Sequence, residues 1–192
     1  MDWIADFLFA AVPWPSSVNG SMVHTRFLGA YKGAAENIKA AVDNLVQKYP
    51  DYKIVLTGHS LGGAEAALAA GDFAIKHPEW ISKIEAYTYG APRVGNTVFS
   101  NWLSSQPFLI FRVNQSDVVS QVPLGVLGYQ HHAQEVWYNT NDQLNFCGSN
   151  GEGAPGQNSL TALQMWFLTY LQYPGLGYEV WYLFVDSLKV IF

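Results

Sequence analysis

Apolar side chains recur at Phe27, Tyr31, Ala34, Ile38, Val42, Leu45 and Tyr49. This three-and-four spacing lines one face of a long helix, and Pro50 stops it. Lys53–Thr57 (KIVLT) comes next, a short β-branched apolar run that predicts a buried strand. From Gly63 to Lys76 the chain is rich in alanine, the strongest helix former. Residues 84–89 (IEAYTY) predict another strand, broken by Gly90-Ala91-Pro92. A short helix over 96–104, a strand over 108–113 (FLIFRV), a loop over 114–128 and a strand over 134–139 (QEVWYN) complete the pattern. Helices alternating with strands predict an α/β sheet.

The two ends are less regular. Trp3, Ile4, Phe7 and Leu8 fall on one face of a helix, with Asp2 and Asp6 off it. Two readings fit: a helix packed on the core, or a mobile amphipathic lid that meets a lipid interface. Residues 147–159 (CGSNGEGAPGQNS) form a Gly-rich loop, and 160–171 have helical character. Residues 172–192 are rich in aromatic and aliphatic side chains without clear caps, and no element is assigned to them.

Gly58-His59-Ser60-Leu61-Gly62 joins the Lys53–Thr57 strand to the alanine-rich helix. Strand, sharp turn with a glycine two residues either side of a serine, then helix: this is the pattern of a nucleophile elbow. Bulkier residues at 58 and 62 would clash with strand or helix. The helix N-terminus then points partial positive charge at a developing oxyanion. An ordinary Gly-rich strand-to-helix turn is the competing reading. A serine nucleophile also needs a base and an orienting acid, and Asp117 follows the 108–113 strand in a loop where sheet enzymes carry their sites.

Composition narrows the function. The 192 residues are 49% hydrophobic and 15% aromatic, which excludes a disordered chain. The net charge is −5 with 10 Lys plus Arg and no basic run, so nucleic-acid binding has no electrostatic support. Cys147 is the only cysteine, which excludes an intrachain disulfide and a cysteine-cluster metal site. No metal site and no cofactor are expected. No apolar run is long enough to span a bilayer, and the opening residues lack the basic region of a signal peptide.

WIADF, VHTRFLGAY, YPDYKIVLTGHSLGGAEAALAA, YTYGAPRVGN, FRVNQSDVVSQVP, GYQHHAQEVWY and GEGAPGQNS stand in the order of one family. Over roughly residues 3 to 171 the chain resembles the class 3, or fungal-type, triacylglycerol lipases. The resemblance implies an α/β-hydrolase-like domain over residues 1–171, with a central, mostly parallel sheet flanked by helices, and a separate tail over 172–192. It implies an extracellular serine ester hydrolase that cleaves acyl glycerols at a lipid interface. Ser60 becomes the nucleophile, Asp117 the triad acid and the Leu61 backbone N–H an oxyanion donor. Trp3, Ile4, Phe7 and Leu8 become part of the lid.

Three departures from the family stand out. The chain begins inside the lid, so the early strands and the RGT-like segment that helps form the oxyanion hole have no counterpart. Loss of one such donor costs about 10²–10³ in rate. Phe167 stands where the family carries its catalytic His, and a phenyl ring takes no proton. The loop's second family cysteine falls near Gly156, which leaves Cys147 unpaired. His131 and His132 occupy a family motif where His is common without being the base, and they are the candidate substitutes. His24, His59 and His77 are expected to be non-catalytic. An alternative therefore stands beside the hydrolase: a catalytically impaired lipase-like lipid-binding protein, or a partial product of a longer lipase gene.

Overall fold

The computed structural model describes residues 10–14, 18–114, 118–132, 134–138, 141, 143–147, 152 and 189–191. The lid residues Trp3, Ile4, Phe7 and Leu8, the acid Asp117, the 160–171 segment with Phe167, and most of the Gly-rich loop and tail lie outside the described residues.

The long helix forms as its spacing predicts. Helix α1 spans Thr25–Lys48 and is capped at Tyr49, whose N–H donates to Leu45 O. Its buried side chains are Phe27, Leu28, Tyr31, Ala35, Lys39 and Val42. Ala34 is exposed and Ile38 half-buried, so the packed face lies slightly round from the predicted one. Leu28 and Ala35 join the apolar core on that face, and Lys39 meets a buried carboxylate there. Asp72, itself 5% exposed, sits opposite α1. It accepts the Tyr31 hydroxyl at 2.7 Å, pairs with Lys76 at 3.0 Å and lies 3.8 Å from the Lys39 ammonium. Lys39 also bonds Glu36. Burial and the adjacent Asp72 push the Tyr31 hydroxyl pKa far above its usual value. A buried polar seam of this kind carries no signal in hydrophobic periodicity.

The main sheet has six strands. Strands β3 (Ile54–His59), β4 (Ile84–Tyr89), β6 (Leu109–Asn114) and β8 (Glu135–Tyr138) run parallel in that spatial order. β9 (Leu144–Phe146) pairs antiparallel with β8 at one edge. β10 (Lys189–Ile191) pairs antiparallel with β3 at the other, with Val190 opposite Leu56. The mostly parallel sheet is thus observed, and three residues of the unassigned tail lie within it.

Helix α2 (Leu61–Lys76) links β3 to β4 and packs between the sheet and α1. Every residue from Gly62 to Ala74 except Glu65 is buried. Alanine and glycine let it approach both neighbours closely, a burial that only a small-residue helix accommodates.

A second sheet of four short strands is antiparallel: β1 (Ala11–Pro13), β2 (Met22–His24), β5 (Gly95–Asn96) and β7 (Tyr129–Gln130). Asn96 ties it to helix α3 (Thr97–Ser104). Its Oδ1 accepts from Phe99 N at 3.0 Å and from Met22 N at 3.1 Å, while its Nδ2 donates to Gly20 O. One side-chain amide therefore caps a helix and closes a strand end.

Candidate active site

Ser60 sits at the exact end of β3 and is the N-cap of α2, with φ 54° and ψ −122°. A non-glycine residue with this backbone is strained, and the surroundings hold it there. Its N–H donates to Tyr89 O at 3.0 Å, which locks the turn to the neighbouring strand. Its carbonyl accepts from Gly63 N and Ala64 N and starts the helix. The side chain makes no capping hydrogen bond. The hydroxyl is therefore not consumed by the helix it precedes.

The glycines are required by contact. A Cβ on Gly58 would lie 2.1 Å from the Gly62 carbonyl oxygen and 2.7 Å from Gly63 N. A Cβ on Gly63 would lie 2.8 Å from the Ala91 side chain. Strand and helix cross too closely for any other residue at 58. With the Ser60 amide used by Tyr89, the next backbone donor is that of Leu61, in the first turn of α2, where N–H groups lack intrahelical partners. An N–H at a helix start carries partial positive charge, which favours a developing negative charge nearby.

The sheet register brings the last residues of β6 to the same end of the sheet. His59 is level with Tyr89, and Tyr89 with Val113. β6 therefore leaves the sheet at the level where β3 delivers Ser60, two strands away, or about 10 Å. Asp117 follows three residues after Asn114 and lies outside the described residues.

The candidate substitute bases are both buried, His131 at 2% and His132 at 4% exposure. His131 Nε2 lies 2.6 Å from Ser120 O. A carbonyl only accepts, so Nε2 carries the proton and the free lone pair is on Nδ1. Burial, then the guanidiniums of Arg112 and Arg93, hold the ring well below its usual pKa. It is neutral at pH 7. His59 is half-buried, and its Nδ1 has no hydrogen-bond partner among the described residues.

Sequence reasoning missed a buried charged network next to these histidines. Arg112 and Glu135 are register partners on β6 and β8, each 2% exposed, with Nη2 and Oε2 3.2 Å apart. Arg93 is 4% exposed and grips Glu152 with two hydrogen bonds of 2.8 and 2.9 Å. The signal was present: Arg93 is a charged residue inside an otherwise uncharged run, YTYGAPRVGN. Cys147 is a free, buried thiol whose N–H donates to Glu135 O, and burial pushes its pKa up. No cluster of potential metal ligands occurs among the described residues, and none of their helices is long and apolar enough to cross a membrane.

The family description "Lipase (class 3)" matches residues 1–127. The lipase of Rhizomucor miehei is 36% identical over 181 residues, covering 92% of this chain and 49% of that protein. The secreted mono- and diacylglycerol lipase 1 of Fusarium solani is 40% identical over 141 residues, covering 71% of this chain and 40% of that protein. A solved triacylglycerol lipase, whose catalytic centre is described as a serine protease triad, superposes with a TM-score of 0.75 at 35% identity. That match covers 85% of this chain and 64% of the other. The chain spans about half the length of the curated relatives it matches.

Proposed function

Because the chain belongs to the class 3 lipase family and has its α/β-hydrolase fold, we propose that it is a serine ester hydrolase for acyl glycerols at a lipid interface, acting through a Ser60 acyl-enzyme. The observation that carries this reading is the elbow. Ser60 is held at φ 54° and ψ −122° between a glycine-tight strand and the start of α2, with its side chain outside the capping scheme. Ser60 Oγ attacks the ester carbonyl as a base takes its proton. The Leu61 N–H stabilises the oxyanion, and the alcohol leaves with that proton. Water then releases the fatty acid.

Asp117 is the proposed orienting acid, and residues 1–171 the hydrolase unit, with Trp3, Ile4, Phe7 and Leu8 as its lid face. Relatives named as secreted lipases support an extracellular setting. The base is His131 or His132 in this reading. His131 would act through Nδ1, since its Nε2 is bound to Ser120. That commitment, with Phe167 at the family's His position, favours a second reading: a lipid-binding lipase relative without turnover.

Fluorophosphonate labelling of the folded chain, with Ser60→Ala as control, separates the two. Such reagents report an activated serine. Labelling that disappears in the variant supports the hydrolase. A folded chain that stays unlabelled supports the binding protein.

A further inference from the structure

The Arg93 side chain makes several hydrogen bonds to the loop that follows the proposed acid. Residues 118–121 form a 3-10 turn that begins directly after Asp117. Arg93, in the segment between β4 and β5, reaches this loop. Its backbone N–H donates to Val122 O at 2.9 Å. Its Nη1 donates to Gln121 O at 2.5 Å and to Pro123 O at 3.2 Å. Its Nη2 lies 3.5 Å from Gln121 Oε1. Nε and Nη2 together hold Glu152, and Glu152 Oε1 also accepts the His131 N–H at 2.9 Å. His131 returns to the loop through Nε2 and Ser120 O.

We propose that Arg93, clamped by Glu152, is a positioning residue that fixes the loop over 118–123, the segment directly after the proposed acid in the chain. The proposal rests on the reading of Asp117 as triad acid. Three consecutive carbonyl-bearing residues, 121 to 123, bond to this one arginine. Its planar fork serves the carboxylate and the carbonyls at once, which a lysine ammonium does not do in one position. The clamp also joins two segments distant in sequence, the loop after β6 and the Gly-rich loop that holds Glu152. Asp117 lies three residues before the anchored Ser120, a span of about 10 Å at most.

The test uses Arg93→Lys and the milder Glu152→Gln in the full chain, with Lys53→Gln, which breaks the exposed pair with Glu85, as control. Amide exchange of peptides covering 115–124 is compared with that of 61–76. Ser60 phosphonylation rate and, where turnover is measurable, kcat and KM are recorded alongside. Both variants should raise exchange in 115–124 at least tenfold, leave 61–76 unchanged and slow phosphonylation at least tenfold, with KM within twofold. The control should match the wild type. Exchange in 115–124 within twofold of wild type overturns the proposal, as does a rise shared equally with 61–76. Looser exchange with unchanged phosphonylation overturns the positioning role. A wild-type chain that is never phosphonylated sinks the hydrolase reading instead, and exchange alone then decides whether Arg93 holds the loop.

Discussion

Gly58 and Gly62 meet backbone to backbone: a Cβ on Gly58 would sit 2.1 Å from the Gly62 carbonyl oxygen. The obstruction is main chain, which has no rotamer to yield. Gly58→Ala should therefore cost about 3 kcal/mol or more, at or beyond the upper end for overpacked sites. Gly33→Ala is the contrast. It lies in α1, where a Cβ meets nothing within 4 Å, and should stabilise by about 0.5–1 kcal/mol. Urea unfolding of both variants checks the pair. Equal effects would show that the elbow is not tight.

Ser60 carries backbone strain that glycine would relieve. Ser60→Gly should raise stability by about 1–3 kcal/mol while removing any phosphonylation. Calorimetry on Ser60→Gly and Ser60→Ala tests this, because alanine keeps the strain and should gain little. A melting temperature shared by both would count against strain at this turn.

How far the chain could be read in advance follows from element length and from what a pattern can encode. The strand at 84–89 matches the sequence reading, and β3, β6 and β8 fall within a residue or two of theirs. Burial alternates along β3, β4 and β6. Strands β1, β2, β5 and β7 escaped, because two or three residues hold too few side chains to show a period. The turn at Ser60 was legible because so tight a strand-to-helix crossing demands glycines at fixed spacing. Arg93 stood out as a lone charge in an uncharged run, but its partner did not, and neither did the Arg112 pair, since each is completed by a carboxylate far away in the chain. Asp117, Phe167 and the lid residues fall outside the described residues.

The Arg112–Glu135 pair lies almost wholly out of water, and burial lowers the pKa of Arg112 despite the carboxylate. Removing one partner strands the other charge. Glu135→Met should cost about 3–5 kcal/mol, and the double variant Arg112→Met/Glu135→Met should recover much of that loss. Chemical denaturation of the two single variants and the double variant gives the coupling. Additive losses would refute a tightly coupled pair.

His131 supplies a pH signature. The folded chain keeps the ring neutral, held so by burial and by Arg112, Arg93 and His132. The unfolded chain takes up a proton as pH falls through about 6.5. The unfolded state then binds more protons, so stability is full above that pH and declines below it. The decline approaches about 1.4 kcal/mol per pH unit for this one group. Urea midpoints at pH 5 and pH 7 should differ more in the wild type than in His131→Gln. Identical differences would mean the ring titrates in the folded chain as it does in water.

Cys147 turns the far edge of the sheet into its own clock. There is one thiol in the sequence, and it is buried beside β8 with its amide on Glu135. An alkylating reagent reacts with the thiolate, which burial disfavours. Alkylation then waits for that corner to open. Where reclosing is faster than reaction, the observed rate reports the opening free energy. The free energy of local opening at the β8–β9 edge is thus measurable in the unmodified chain, with no label to introduce and no competing cysteine to remove.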